Sequence, residues 1–117
     1  PLDGMSLVPV IEGTGELPAR DLFWHFPAYL QADRSVAGPW RTTPVSAIRR
    51  GHHKLLHFFE DDRWELYDLA GDESESRDLA LDMPELTNEL QDGLRRWWRE
   101  TGAFIPTEPN PTYSPQR

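Results

Sequence analysis

The chain is expected to adopt an α+β fold, a small antiparallel β-sheet of about four strands with one C-terminal amphipathic helix packed on it. Three features predict this. Residues 21–69 hold short aromatic and aliphatic runs separated by turn residues. Two of these runs alternate in polarity around a short acidic turn. Residues 82–102 then repeat apolar side chains at helical spacing.

Residues 1–20 read as an extended lead-in with Leu7, Val8, Val10 and Ile11 as its apolar content, and Ile11 to Gly15 as a turn or loop. The run Asp21 to Phe26 is rich in aromatics and stops at Pro27. Aromatic side chains fit a pleated, half-buried surface, so this run predicts a strand. Gln31 to Pro44 contains Gly38, Pro39 and Pro44 and few apolar residues, which predicts a loop.

Val45 to Arg50 predicts the next strand, broken by Gly51. From His53 to Phe59, Leu55, His57 and Phe59 fall on one face, Leu56 and Phe58 on the other. Glu60 to Arg63 reads as a tight turn, and Trp64 to Asp68 as the return strand of a hairpin. The acidic stretch Gly71 to Arg77 predicts a surface loop.

Asp82, followed three residues later by Glu85, has the spacing of a capping box, with Pro84 in the first turn. Leu86, Leu90, Leu94, Trp97 and Trp98 then form one apolar stripe. Glu85 and Glu89 lie near the positive end of the helix dipole, and Arg95, Arg96 and Arg99 near its negative end. Gly102 is placed to terminate the helix, and Gly93 is a mild flaw within it. Residues 103–117 carry four Pro and no periodicity, and read as an extended tail.

At 117 residues, one small domain is expected. A hydrophobic fraction of 38% and a mean hydropathy of -0.66 fit a soluble protein. The net charge of -8 disfavours binding to nucleic acid or to anionic membrane surfaces. No apolar stretch approaches the roughly 20 residues that cross a bilayer, and no signal peptide is visible. The composition leaves the compartment open between cytoplasm and export. With no Cys, the chain has no disulfide, thiolate metal site or cysteine nucleophile. It begins with Pro1, so it is expected to be a processed product or a piece of something longer.

Several phrases, taken in order, resemble the C-terminal end of the arylsulfatase-like hydrolases, within the alkaline-phosphatase-like superfamily. Asp3-Gly4-Met5-Ser6-Leu7-Val8-Pro9 is similar to that family's Asp-Gly-x-Ser-Leu-x-Pro phrase. Leu22-Phe23-Trp24-His25-Phe26-Pro27 resembles its Phe-Trp-His-aromatic-Pro strand. Ala47-Ile48-Arg49-Arg50-Gly51-His52-His53-Lys54-Leu55 resembles its Ala-Ile-Arg-x-Gly-x-x-Lys-Leu strand pair. Glu65-Leu66-Tyr67-Asp68-Leu69, with Asp72, Glu75 and Leu79, resembles its Glu-Leu-Tyr-Asp-Leu stretch, and the tail Pro109-Asn110-Pro111 continues the pattern. Glu73 stands where the family often has Pro, and Asp78 where it often has Asn.

The resemblance implies that the chain is a portion of a sulfuric ester hydrolase. It would pack on a missing N-terminal catalytic domain of the same protein and line one wall of the cleft for a sulfate-ester substrate. The parent would use a formylglycine nucleophile, made from Cys or Ser within Cys/Ser-x-Pro-x-Arg, and a divalent metal such as calcium. No Cys or Ser here begins that pattern; Ser114-Pro115-Gln116-Arg117 has the wrong spacing. The fragment is therefore expected to carry no catalytic or metal residue, to be inactive alone and to self-associate through the face it would dock. Two alternatives stay open: a stand-alone α+β binding module, and the same subdomain of a phosphodiesterase or phosphonate hydrolase.

By the same resemblance, His25 and Tyr29 are the substrate-cleft candidates. The competing reading of His25 is a half-buried strand histidine whose hydrogen bonds are satisfied within the chain. His53 and His57 share a strand face about 13–14 Å apart, too far for one metal ion. Arg49, Arg50 and Lys54 are expected to pair with Glu60, Glu65 or Asp68 across strands. Asp61-Asp62 and Asp72-Glu73 lack the ligand pattern of a calcium loop and read as turn residues. Trp64, Trp97 and Trp98 could form a carbohydrate platform, but beside leucines at helical spacing they read as core.

Overall fold

The structure, a computed structural model, describes residues 4–31, 40–108 and 110–111. The lead-in is not extended throughout: α1 (Val8–Ile11) is a single helical turn. Pro9 sits where its missing N–H costs nothing, and the Ile11 and Glu12 amides bond back to Leu7 and Val8. Residues 1–3 of the lead-in lie outside the described residues.

β1 (Leu22–Phe26) is followed by two very short strands, β2 (Leu30–Gln31) and β3 (Trp40–Thr42). These pair antiparallel, so both ends of the expected loop Gln31–Pro44 form a ribbon instead. Its span 32–39 lies outside the described residues. β4 (Val45–Arg50), β5 (His53–Phe58) and β6 (Arg63–Asp68) complete a four-stranded antiparallel sheet in the order β1-β4-β5-β6. Gly51 takes φ +58 in the β4–β5 turn, a conformation that side chains rarely adopt. Asp62 takes φ 54 in the acidic β5–β6 turn, which asparagine and aspartate tolerate better than most residues.

α2 (Pro84–Thr101) crosses one sheet face. Leu90 and Leu94 are fully buried against Ile48, Leu55 and Leu66, and Leu86, Trp97 and Trp98 flank this core. Gly102 ends the helix in the left-handed conformation (φ 64), as the sequence predicts. The start differs from expectation. Met83 occupies the N-cap and no side chain caps it; the Asp82 carboxylate instead takes a 2.9 Å hydrogen bond from Arg77. Gly93 is a packing residue, since a Cβ there would stand 3.1 Å from Ile48 Cδ1.

The free edge of β6 is covered by the loop that precedes α2. Asp78 Oδ1 accepts the amides of Leu66 and Ala80, both at 2.9 Å, and the Leu79 amide donates to the Leu66 carbonyl at 2.7 Å. Pairing of this kind removes an exposed strand edge.

Among the described residues, α2 packs on one face of the sheet and leaves apolar side chains of the opposite face exposed. Trp24 and Phe26 are 51% and 41% exposed there, beside Val45, Ala47 and Leu56, around a shallow recess of about 350 Å³. Among the described residues, no helix is long and apolar enough to cross a membrane.

Candidate functional site

The sheet register determines which polar groups meet. His25 pairs with Ser46 across β1–β4, and Ser46 pairs with His57 across β4–β5. Successive residues alternate faces, so these three share the face under α2. Trp98 reaches down from the helix, and its indole Nε1–H donates to Ser46 Oγ at 3.1 Å.

His25 Nδ1 lies 2.5 Å from Ser46 Oγ, and His25 Nε2 lies 2.8 Å from the Phe104 carbonyl oxygen. A carbonyl only accepts, so the proton of the neutral ring sits on Nε2. Nδ1 then accepts from the Ser46 hydroxyl, which itself accepts from Trp98. Both ring nitrogens are thus engaged within the chain, which is the geometry of a strand histidine with satisfied hydrogen bonds.

A serine beside a histidine suggests a nucleophile and base, but this pair is not one. Ser46 is 1% exposed, and the far nitrogen of His25 faces a backbone carbonyl where a catalytic acid would be needed. The sequence does not reveal the pair, because 21 residues separate the partners and only the register joins them.

Tyr29 lies past the end of β1. Its hydroxyl donates to Glu60 Oε2 in the β5–β6 turn and accepts the Asn110 amide at 3.2 Å. Around it Phe59, Glu60, Pro106, Thr107 and Glu108 form a recess of about 80 Å³. Desolvation holds the Glu60 carboxyl above the usual glutamate range, and the neighbouring Asp61 charge adds to this. His25 and Tyr29 therefore both touch the arm that follows α2, His25 at Phe104 and Tyr29 at Asn110.

His57 is 6% exposed and lies stacked on Trp64 at 4.1 Å, with Phe59 and Trp98 against its other sides. Its Nε2 meets Asp62 Oδ1 at 2.8 Å, while its buried Nδ1 has no hydrogen-bond partner among the described residues. Burial lowers the pKa of His57 below the ordinary 6.5, opposed in part by Asp62.

Arg50 and Lys54 are paired, but with other acids than the sequence suggests, and Arg49 bonds to a backbone carbonyl. Arg50 forms a two-pronged contact with Asp21 at 2.8 and 2.7 Å, and its hydrogen bond holds the Asp21 carboxyl below its usual range. Lys54 meets Glu75 at 2.5 Å, and Arg49 donates to the Gly51 carbonyl at 3.0 Å. Cross-strand partners are set by register: Asp21, just before β1, stands level with Arg50 in the β1–β4 pairing, whereas Glu75 comes from the loop after β6. Asp72 is a loop anchor that accepts the amides of Ser76 and Arg77. These two bonds and the Ser76 hydroxyl lower its pKa. Trp64, Trp97 and Trp98 pack against the core, with Trp97 stacked on Phe23 at 5.0 Å. Among the described residues, no group of three or more His, Asp or Glu side chains could hold a metal ion.

Comparison with known proteins decides the family. The chain is 30% identical over 114 residues to a sulfatase of Formosa agariphila, an alignment covering 87% of this chain. It is also 34% identical over 82 residues to an N-acetylglucosamine-6-O-sulfatase of Bacteroides thetaiotaomicron. This chain has the sequence and fold of a sulfatase C-terminal subdomain. A solved chain in complex with its substrate, D-glucosamine-2-N,6-O-disulfate, aligns over 87% of it with a TM-score of 0.62 and 26% identity. The sulfatase subdomain spans only a small part of these relatives: 19% of the Formosa protein, 13% of the Bacteroides protein and 21% of the solved chain. No family model matches it.

Proposed function

We propose that this chain serves as the C-terminal portion of a sulfuric ester hydrolase, packing on a catalytic domain and forming one wall of its substrate cleft. The observation that carries the reading is the match to sulfatases over 87% of this chain but 19% of the relative's length. The open sheet face supports the docking half. Trp24, Phe26 and Leu56 form an apolar patch of the kind that marks an interface. The Tyr29 end of the sheet supports the cleft half. It offers a recess with one phenol and two carboxylates, suited to the hydroxylated part of an ester more than to its sulfate.

The residues here fit neither reactive group of the family. The chain has no Cys, its buried Ser46 lies outside any Cys/Ser-x-Pro-x-Arg pattern, and the described residues offer no metal-ligand cluster. Formylglycine and a divalent metal such as calcium would thus be held by the catalytic domain, leaving binding and positioning to the described residues. The chain's own contribution is to exclude water from the docked face and to position the arm and Tyr29.

The test begins with the codons upstream of Pro1. An in-frame stretch encoding Cys/Ser-x-Pro-x-Arg and early paired aspartates, whose full product hydrolyses an aryl sulfate, is the expected result. A start codon directly upstream would overturn the reading in favour of a stand-alone module. Hydrolysis of phosphodiesters but not sulfate esters by the full product would move it to the phosphodiesterase relatives.

A further inference from the structure

We propose that His25 is a positioning residue that latches the C-terminal arm to the sheet and thereby completes the Tyr29 recess. The ring is the middle of a directed chain of hydrogen bonds: Trp98 Nε1–H to Ser46 Oγ, Ser46 O–H to His25 Nδ1, His25 Nε2–H to the Phe104 carbonyl. Three separate elements meet in it: the helix, the sheet and the arm. Ser46 is almost fully buried, so the inner half of the chain is fixed by the core.

The outer half ties the start of the arm to the sheet. Beyond Gly102, Phe104 is 70% exposed, so its side chain contributes little anchoring. Yet Pro106, Thr107 and Glu108 form one side of the recess, and the Asn110 amide reaches Tyr29. The bond from His25 is made two residues past Gly102, ahead of the part of the arm that lines the recess. Releasing it frees the wall of the recess while leaving the helix and sheet in place.

The two ring nitrogens can be tested apart. Asn at position 25 offers a polar atom near the Nδ1 position and none at Nε2. Gln offers an amide N–H near the Nε2 position. Amide hydrogen exchange on this chain reads the arm at Asn110 and the core at Leu66. In His25→Asn, Asn110 should exchange at least about tenfold faster, and in His25→Gln it should stay within about twofold of the parent, with Leu66 unchanged in both. Unchanged Asn110 exchange in His25→Asn would overturn the latch. So would equal acceleration of Asn110 and Leu66 in both variants, which would make His25 a general stability residue.

The link from arm to substrate rests on the sulfatase reading and has its own readout. In the full-length enzyme, His25→Asn should raise KM several-fold with kcat retained, and His25→Gln should restore KM. An arm that loosens in exchange with no change in KM would leave the latch standing and remove the recess from the substrate cleft.

Discussion

Gly93 of the helix lies over Ile48 of the central strand so closely that an added Cβ would stand 3.1 Å from Ile48 Cδ1. In the helix alone, alanine would be better than glycine by about 1 kcal/mol. Ile48 is fully buried and has little room to retreat, and overpacking costs about 1–3 kcal/mol. Gly93→Ala is therefore expected to destabilise by about 1 kcal/mol net, read as a lower urea midpoint with unchanged slope. A raised midpoint would show that Ile48 can give way.

The pH dependence of stability has two parts with the same sign. The folded-state pKa of His57 is lowered by burial, so the unfolded chain binds protons that the folded chain excludes. Stability should hold above the ordinary 6.5 and fall as pH drops below it. The charges facing the ring are Asp62, Asp61 and Arg95. Below 3.8 a further loss sets in, because the Asp21 carboxylate that binds Arg50 must be protonated. His57→Phe keeps an aromatic ring in the cluster and removes the buried, titratable imidazole. It should flatten the decline just below pH 6.5 and leave the acid limb intact, as measured by thermal melts across pH.

An open apolar sheet face should make the isolated chain self-associate. Sedimentation at rising protein concentration should show growing weight-average mass. The double substitution Trp24→Gln with Phe26→Gln, placed at exposed positions, should give a monomer throughout while melting within a few degrees of the parent. A parent that stays monomeric at high concentration would count against the docking face.

Asp78 holds the edge of β6 through a single oxygen, which accepts both the Leu66 and Ala80 amides. The sulfatases resembled here often carry Asn at this place, and an Asn carbonyl oxygen can accept the same two bonds. Asp78→Asn should be nearly neutral. Asp78→Ala strands a strand-edge amide and should cost about 1–3 kcal/mol in chemical denaturation. Equal losses in both variants would mean that the charge, and not the acceptor, matters.

The sequence alone determined the hairpin around Glu60 to Arg63, the four-strand sheet and the helix with its stripe and Gly102 terminus. Each rests on local periodicity or a local conformational preference, and such signals are complete within a few residues. It also carried the family, through ordered phrases that lie in those same elements. Only the tertiary structure decided that Arg77 takes Asp82 away from the helix cap, that Gly93 is a close-packing residue and that Arg50 binds Asp21. The same holds for His25, whose partners lie 21 and 79 residues away. Strand register and the path of the arm past the helix set those contacts, and short-range pattern carries no information about either. A side chain's role in this chain thus follows from which segment its hydrogen-bonding atoms reach, and that is fixed only when the helix closes over the sheet.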